Sequence, residues 1–127
     1  MTEAVLDASA LIAFLRDEPG ADRVASVLAN CCISAVNLSE TLSKMIEYGK
    51  PLDAASYQIE RLRVPVIGFE AESAKIVASL WKESRAAGLS LGDRACLALG
   101  LKIGCPVMTT DKAWSGCDVG VKIIQIR

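Results

Sequence analysis

The chain has 127 residues, 52% of them hydrophobic, and a formal net charge of −1. This length predicts a single domain, residues 1–127, with enough apolar side chains to build a core without disulfides or a structural metal. The nearly balanced charge argues against the broad basic surface that extended nucleic-acid binding requires. No apolar run approaches the roughly 20 residues of a membrane span, and the acidic N-terminus is unlike a signal peptide. We therefore expect no contact with a membrane.

The chain has five cysteines and no histidine, which limits the kinds of metal site and catalytic site that it can form. Without histidine or a Cys-x-x-Cys pair, the common zinc sites are excluded. The absence of histidine also excludes the Ser–His and Cys–His nucleophile pairs. An odd number of cysteines with no Cys-x-x-Cys pair suits a reducing compartment, and we expect the protein to be cytoplasmic. Any catalysis would rest on carboxylates, hydroxyls and a metal ion.

The first half of the chain predicts two strands and four helices. Residues 4–6 form a short apolar strand, and the helix that follows at once is interrupted by Pro19 and Gly20. The other elements predicted in this half are a strand over residues 31–36 and helices over residues 21–30, 38–48 and 51–62.

The second half continues this alternation. Residues 64–69 form a strand with a proline near its start, which favours a place at the sheet edge. Residues 70–87 are predicted as the longest helix, with Trp81 on its apolar side. The helix over residues 94–103 is apolar almost all round, which indicates a central position. With further strands over residues 106–110 and 121–126, the chain predicts an α/β three-layer sandwich: a mainly parallel sheet of about five strands, with helices on both faces.

Four acidic residues fall where predicted strands and helices meet. Asp7 and Asp111 each follow an apolar strand, and Glu40 and Asp93 lie in the first turns of helices. In a parallel sheet the carboxyl ends of the strands share one edge, where ligands bind. Two carboxylates about 4 Å apart repel by about 4 kcal/mol at an effective dielectric near 20, so such a cluster needs protons or a cation. Oxygen ligands without histidine or cysteine favour Mg²⁺ or Mn²⁺.

Each acid also has an ordinary structural explanation. Asp7 and Asp111 are well placed to cap the helical turns that follow them. Residues 37–40 and 90–93 have the spacing of capping boxes, in which the acid bonds back to the start of its helix. Capping explains each acid taken alone, and only the set of four indicates a site.

Five segments around these acids resemble the motifs of PIN-domain ribonucleases, and more narrowly those of VapC-type toxins of bacterial toxin–antitoxin pairs. The segments occur in the family's order and spacing and span nearly the whole chain. They are Val5-Leu6-Asp7-Ala8-Ser9-Ala10-Leu11, Glu18-Pro19-Gly20-Ala21, residues 34–40, residues 89–99 and Thr109-Thr110-Asp111.

The resemblance implies a PIN-like, Rossmann-like sheet and an endoribonuclease that depends on Mg²⁺ or Mn²⁺. Its implied catalytic residues are Asp7, Glu40, Asp93 and Asp111, with Asp7, Asp93 and Asp111 as metal ligands and Ser9 and Thr110 as polar support. In this chemistry a water attacks an RNA phosphodiester in line, and Glu40 holds or deprotonates that water. The implied partners are RNA, a second copy of the chain in a homodimer, and a cognate antitoxin whose tail covers the active site.

Several residues outside this set are weaker candidates. Arg94 could contact an RNA phosphate, although a solvated helix charge or a dimer contact explains it equally well. Trp81 and Trp114 could stack on bases, but Trp81 lies in an apolar helical stripe that predicts a place in the core. The candidates for a basic rim facing RNA are Arg16, Lys44, Arg85 and Lys112.

Three alternatives share parts of this pattern. A phosphatase of the haloacid dehalogenase type needs a second aspartate where Ser9 stands, and a response-regulator receiver needs an N-terminal acid pair that the chain lacks. The third alternative belongs to another class: a catalytically silent PIN module that binds RNA or a protein partner. Only activity measured with metal distinguishes this module from a nuclease.

Overall fold

A computed structural model describes all residues of the protein, 1–127. The strands are β1 (Ala4–Leu6), β2 (Cys31–Ser34), β3 (Val66–Ile67), β4 (Val107–Thr109) and β5 (Ile123–Gln125). They form one sheet in the order β3–β2–β1–β4–β5, and every neighbouring pair is parallel. The predicted parallel sheet of about five strands is confirmed, and the proline-led strand β3 lies at an edge as expected.

Seven α-helices surround the sheet. They are α1 (Ala8–Leu15), α2 (Ala21–Ala25), α3 (Ala35–Glu47), α4 (Leu52–Glu60), α5 (Ala71–Ser79), α6 (Trp81–Ser84) and α7 (Leu91–Ile103). Short 3-10 turns cover Leu28–Asn30, Arg85–Ala87 and Lys112–Gly116. No helix combines the length and apolar character that a membrane crossing needs.

Alternation along the strands gives each face of the sheet its own core. In β1, Val5 packs with α5 and α7 on one face, whereas Ala4 and Leu6 pack with α1, α2 and α4 on the other. All three residues of β1 are buried, since this strand has a neighbour on each side and helices on both faces. The predicted three layers are therefore present, with β1 at their centre.

The segment 70–87 is not the longest helix, and that prediction is wrong. It breaks after Ser79 and again after Ser84, whereas α3 and α7 have 13 residues each. The hydroxyl of Ser79 donates to the carbonyl of Ile76, and that of Ser84 donates to the carbonyl of Leu80. Such bonds from serine to the backbone compete with the helical hydrogen-bond ladder.

The two tryptophans lie opposite to expectation. Trp81 is 53% exposed, with the guanidinium of Arg85 5.0 Å from its ring centroid, so the prediction that it packs in the core is wrong. Trp114 is fully buried in the core between the sheet and α7 and cannot stack on a base. Trp114 lies in the 3-10 turn after β4, and this turn points its side chain into the core. Because the turn is too short for helical periodicity, the spacing of apolar residues could not predict this position.

Candidate functional site

An open cleft of about 420 Å³ lies at the carboxyl edge of the sheet. The parallel strands β1 and β4 end there side by side, which brings Asp7 and Asp111 to the same edge. Helices α3 and α7, which pack against each other, bring Glu40 and Asp93 to its walls. The residues lining the cleft are Asp7, Ala8, Ser9, Ile12, Glu40, Lys44, Asp93, Thr110 and Asp111.

Asp7 is the buried centre of this cleft. Asp7 is only 5% exposed. Its backbone N–H donates to the carbonyl of Met108, and this hydrogen bond joins the ends of β1 and β4. Burial raises the pKa of Asp7 from 3.8 to about 6. Hydrogen bonds from Ser9 and Thr109 oppose this rise, and the negative charges of Asp93 and Glu40 add to it. The carboxyl is therefore ionised at neutral pH in a place that disfavours its charge.

Two hydroxyls hold one oxygen of Asp7. Ser9 Oγ donates to Asp7 Oδ2 at 2.6 Å, and Thr109 Oγ1 donates to the same oxygen at 2.9 Å. Thr109 Oγ1 also accepts the backbone N–H of Asp111 at 3.0 Å, while Ser9 Oγ accepts that of Thr110 at 3.0 Å. These bonds fix the carboxyl of Asp7 to the chain that carries Asp111.

Thr109 was missed by the sequence interpretation, which singled out its neighbour. Thr110 lines the cleft and reaches Ser9 only through its backbone N–H. Thr109 is fully buried and is the threonine that contacts Asp7. The signal was available in principle, because alternate residues of β4 face the same side as the end of β1.

Glu40 is held by a residue that the sequence assigned to a helix cap. Ser34, not Asn37, is the N-cap of α3, because its hydroxyl accepts the N–H of Val36. The Asn37 amide instead donates to Glu40 Oε1 at 2.9 Å and to the carbonyl of Gly92 at 3.0 Å. Glu40 is therefore tied to the first turn of α7, near Asp93.

Asp93 and Asp111 both cap helical turns, as the ordinary structural explanation of these acids predicts. Asp93 Oδ2 accepts the N–H of Ser90, and Ser90 Oγ accepts the N–H of Asp93, which completes the expected capping box. Asp111 Oδ1 accepts the N–H of Ala113 and caps the 3-10 turn after β4. Each acid stabilises a turn and lines the cleft at the same time.

The side-chain atoms in the cleft that could bind a metal suit a hard cation. They are carboxylate and hydroxyl oxygens, the type of ligand that Mg²⁺ and Mn²⁺ prefer. No three of the chain's Asp, Glu or Cys side chains are placed to hold one ion together. The arrangement fits Mg²⁺ bound by one or two carboxylates and several waters, which is the usual mode for this ion.

The basic residues proposed around the site are placed unevenly. Only Lys44 lines the cleft, and it also pairs with Glu47 at 3.2 Å. Arg94 points its guanidinium at the carbonyl of Val77, the last turn of α5, and not into the cleft. Arg16 stacks on the ring of Tyr48, Arg85 lies over Trp81, and Lys112 is exposed at the start of the 3-10 turn.

Fold and site together define an α/β protein with an acidic, oxygen-lined cleft at the carboxyl edge of a parallel sheet. The sequence model described as "PIN domain" matches residues 4–118. Because this match covers most of the chain, the protein belongs to the PIN domain family. The sequence gives no significant match to a functionally curated protein.

The fold is similar to that of chains in solved toxin–antitoxin structures. A DNA-bound VapBC from Salmonella typhimurium superimposes with a TM-score of 0.76 at 16% identity, covering 100% of both chains. VapBC-1 from nontypeable Haemophilus influenzae gives 0.73 at 18% identity, covering 98% of each chain. A toxin–antitoxin complex from Klebsiella pneumoniae gives 0.72 at 17% identity, again covering 98% of each. At these identities the likeness establishes the fold.

Proposed function

We propose that the protein is a metal-dependent endoribonuclease that acts as the toxin of a toxin–antitoxin pair. The observation that carries this proposal is the set of four carboxylates around one open cleft, with a buried Asp7 at its centre. Burying an acid beside other acids costs stability unless a cation compensates. Membership of the PIN domain family and the likeness to VapBC structures support the same assignment.

Each carboxylate has a role in this reaction. Asp7 and Asp93 would bind Mg²⁺ or Mn²⁺ directly, and Asp111 would bind it through water, since no three acidic side chains are placed to hold one ion together. When bound, the ion lowers the pKa of a water molecule and offsets charge on the phosphodiester. Glu40, whose Oε1 accepts a hydrogen bond from the Asn37 amide, would orient the attacking water and accept its proton.

The hydroxyls and the lysine support this arrangement. Thr109 and Ser9 share one oxygen of Asp7, which leaves Oδ1 to face a cation. Lys44, on the wall of the cleft, would meet the RNA backbone as a point charge. With a net charge of −1 and few cations at the cleft, recognition would depend on a short stretch of RNA and not on a long basic track.

The proposed partners follow from the similar structures. Those proteins are solved as toxin–antitoxin complexes, and we assign this chain a cognate antitoxin that covers the acidic cleft. A homodimer is the proposed state of the free protein. Light scattering coupled to size-exclusion chromatography would give a mass of about one chain if the dimer is wrong.

RNA cleavage by the purified chain tests the nuclease. Structured RNAs are incubated with Mg²⁺, with Mn²⁺ or with a chelator, and the fragments are resolved on a gel. We expect metal-dependent cleavage that is lost in Asp7→Asn and Asp93→Asn. The matched control is Asp118→Asn, which makes the same chemical change on an exposed acid outside the cleft. Equal cleavage by Asp7→Asn and wild type would refute the four-carboxylate site.

Expression in a bacterial host tests the toxin role. We expect growth arrest with the wild type and normal growth with Asp7→Asn at equal protein levels. The alternative is a silent PIN module, which the separate capping bonds of Asp93 and Asp111 favour. A module of this kind predicts no cleavage with either metal and no arrest.

A further inference from the structure

Asn37 is a buried amide that joins two parts of the site. It lies in the first turn of α3 and is fully buried. Its Nδ2 group uses one hydrogen on Glu40 Oε1 and the other on the carbonyl of Gly92, 55 residues away. The Gly92 carbonyl belongs to the backbone of α7, so this bond determines the direction in which the amide presents its second hydrogen to Glu40.

The other end of the same amide has no partner. Asn37 Oδ1 is buried and accepts no hydrogen bond. A buried polar atom without a partner is rare and costly, and an apolar side chain would fill a helix–helix contact without this cost. The unpaired oxygen therefore indicates that the two donated bonds, and not packing, account for an asparagine at this position.

Gly92 provides the space into which Glu40 fits. A Cβ atom on Gly92 would lie 2.2 Å from Glu40 Oε2, 2.5 Å from Cδ and 2.6 Å from Oε1. The Glu40 carboxylate thus rests directly on the backbone of α7. Glycine is a poor helix former relative to alanine, and its φ here is not one that requires glycine. Space for the carboxylate is the remaining reason for a glycine in the first turn of α7.

We propose that Asn37 and Gly92 form a seat that positions the carboxylate of Glu40 for the reaction. Without this seat, the side chain of an exposed glutamate samples several rotamers. Asn37 fixes Oε1, and the flat surface of Gly92 fixes the distance of the carboxylate from α7, which also carries Asp93. Asn37 and Gly92 are positioning residues, because both act through Glu40. This inference rests on the proposed nuclease function.

Gly92→Ala is the sharpest test, since it adds one methyl group where the carboxylate lies. The end of the Glu40 side chain can move away, so the fold is kept, and alanine favours the helix. We expect the single-turnover rate of RNA cleavage to fall about 10- to 100-fold, the usual effect of disturbing a supporting contact, with a melting temperature equal to or above that of the wild type. Gly116→Ala is the matched control, because nothing lies within 4 Å of its added Cβ.

A double-mutant cycle shows whether the effect passes through Glu40. Adding Gly92→Ala to Glu40→Gln should cause no further loss of the residual rate. Asn37→Ala, corrected for its folded fraction by circular dichroism, should likewise add little to Gly92→Ala. A readout independent of activity is the side-chain amide signal of Asn37 in a ¹⁵N-correlated NMR spectrum. We expect this signal to shift in Glu40→Gln and Gly92→Ala and to stay in place in Gly116→Ala.

The outcomes separate the seat from the nuclease itself. A wild type that cuts RNA together with a Gly92→Ala variant that cuts equally fast overturns the seat and leaves the nuclease intact. Independent, additive losses from Gly92→Ala and Glu40→Gln overturn it as well. A wild type that cuts no RNA with either metal refutes the proposed function, and the seat is refuted with it.

Discussion

Replacing Asp7 with asparagine should make the protein more stable at neutral pH. The wild-type carboxyl has a pKa near 6 in the fold, chiefly because it is buried, against 3.8 in the unfolded chain. At roughly 1.4 kcal/mol per pH unit, ionising it costs about 3 kcal/mol of folding stability. Asparagine has the same shape, keeps an oxygen for Ser9 and Thr109, and carries no charge.

The pH dependence has a definite sign. Between pH 4 and 6 the folded state binds more protons than the unfolded state, so wild-type stability falls as the pH rises. The loss attributable to Asp7 is absent below about pH 4 and complete above about pH 6. Asp7→Asn removes this loss, and its advantage over the wild type should grow across that window and then stay constant.

Urea unfolding at several pH values, with a chelator present, measures this difference. Subtracting the two free energies of unfolding at each pH removes what the two proteins share and leaves the effect of the substitution at Asp7. We expect a difference of up to about 3 kcal/mol at pH 7.5, which corresponds to roughly 10 °C in melting temperature for a chain of this size. The exposed control Asp118→Asn should show no such trend. A difference between Asp7→Asn and wild type that does not change with pH would refute the argument from burial.

Three further predictions follow from the same contacts. Mn²⁺ at 100 times its dissociation constant should stabilise the wild type by about 2.7 kcal/mol and leave Asp7→Asn unchanged in thermal melts; equal stabilisation of both would contradict Asp7 as a ligand. Thr109→Val removes a buried donor to Asp7 and the acceptor for Asp111, and should cost about 1–3 kcal/mol in urea unfolding, whereas an unchanged midpoint would contradict that role. Trp114→Ala should cost about 3–5 kcal/mol and Trp81→Ala less than about 1 kcal/mol, and the reverse order would contradict their placement.

Patterns within short segments predicted the sheet correctly, and they predicted that the four acids lie at one edge of it. Short apolar strands alternating with helices require parallel pairing, and parallel pairing brings strand ends to one edge. Asp7 and Asp111 needed only the positions of β1 and β4 to be placed together. The capping box at Ser90 and Asp93 was equally local and is present.

Contacts between distant segments could not be predicted in this way. The bond from Asn37 to Gly92 spans 55 residues, and the bond from Thr109 to Asp7 spans 102. The spacing of Asn37 and Glu40 fits a capping box, but it fits equally well a helix that begins three residues earlier. Ser34 caps α3 in the structure, so α3 begins before Asn37. Trp81 was misplaced for a related reason, since the helix assumed to carry it breaks at Leu80.

The pairing of β1 with β4 determines when the cleft can form during synthesis. Strand β1 leaves the ribosome first, but its neighbour β4 follows only about a hundred residues later. Closing so long a loop is slow relative to forming local helices, and domains complete their folding only when the needed segments have emerged. Until residues 107–111 are free, Asp7 lacks Thr109 and Asp111, and the incomplete chain has no assembled cleft. The growing polypeptide therefore lacks this cleft for most of its own translation.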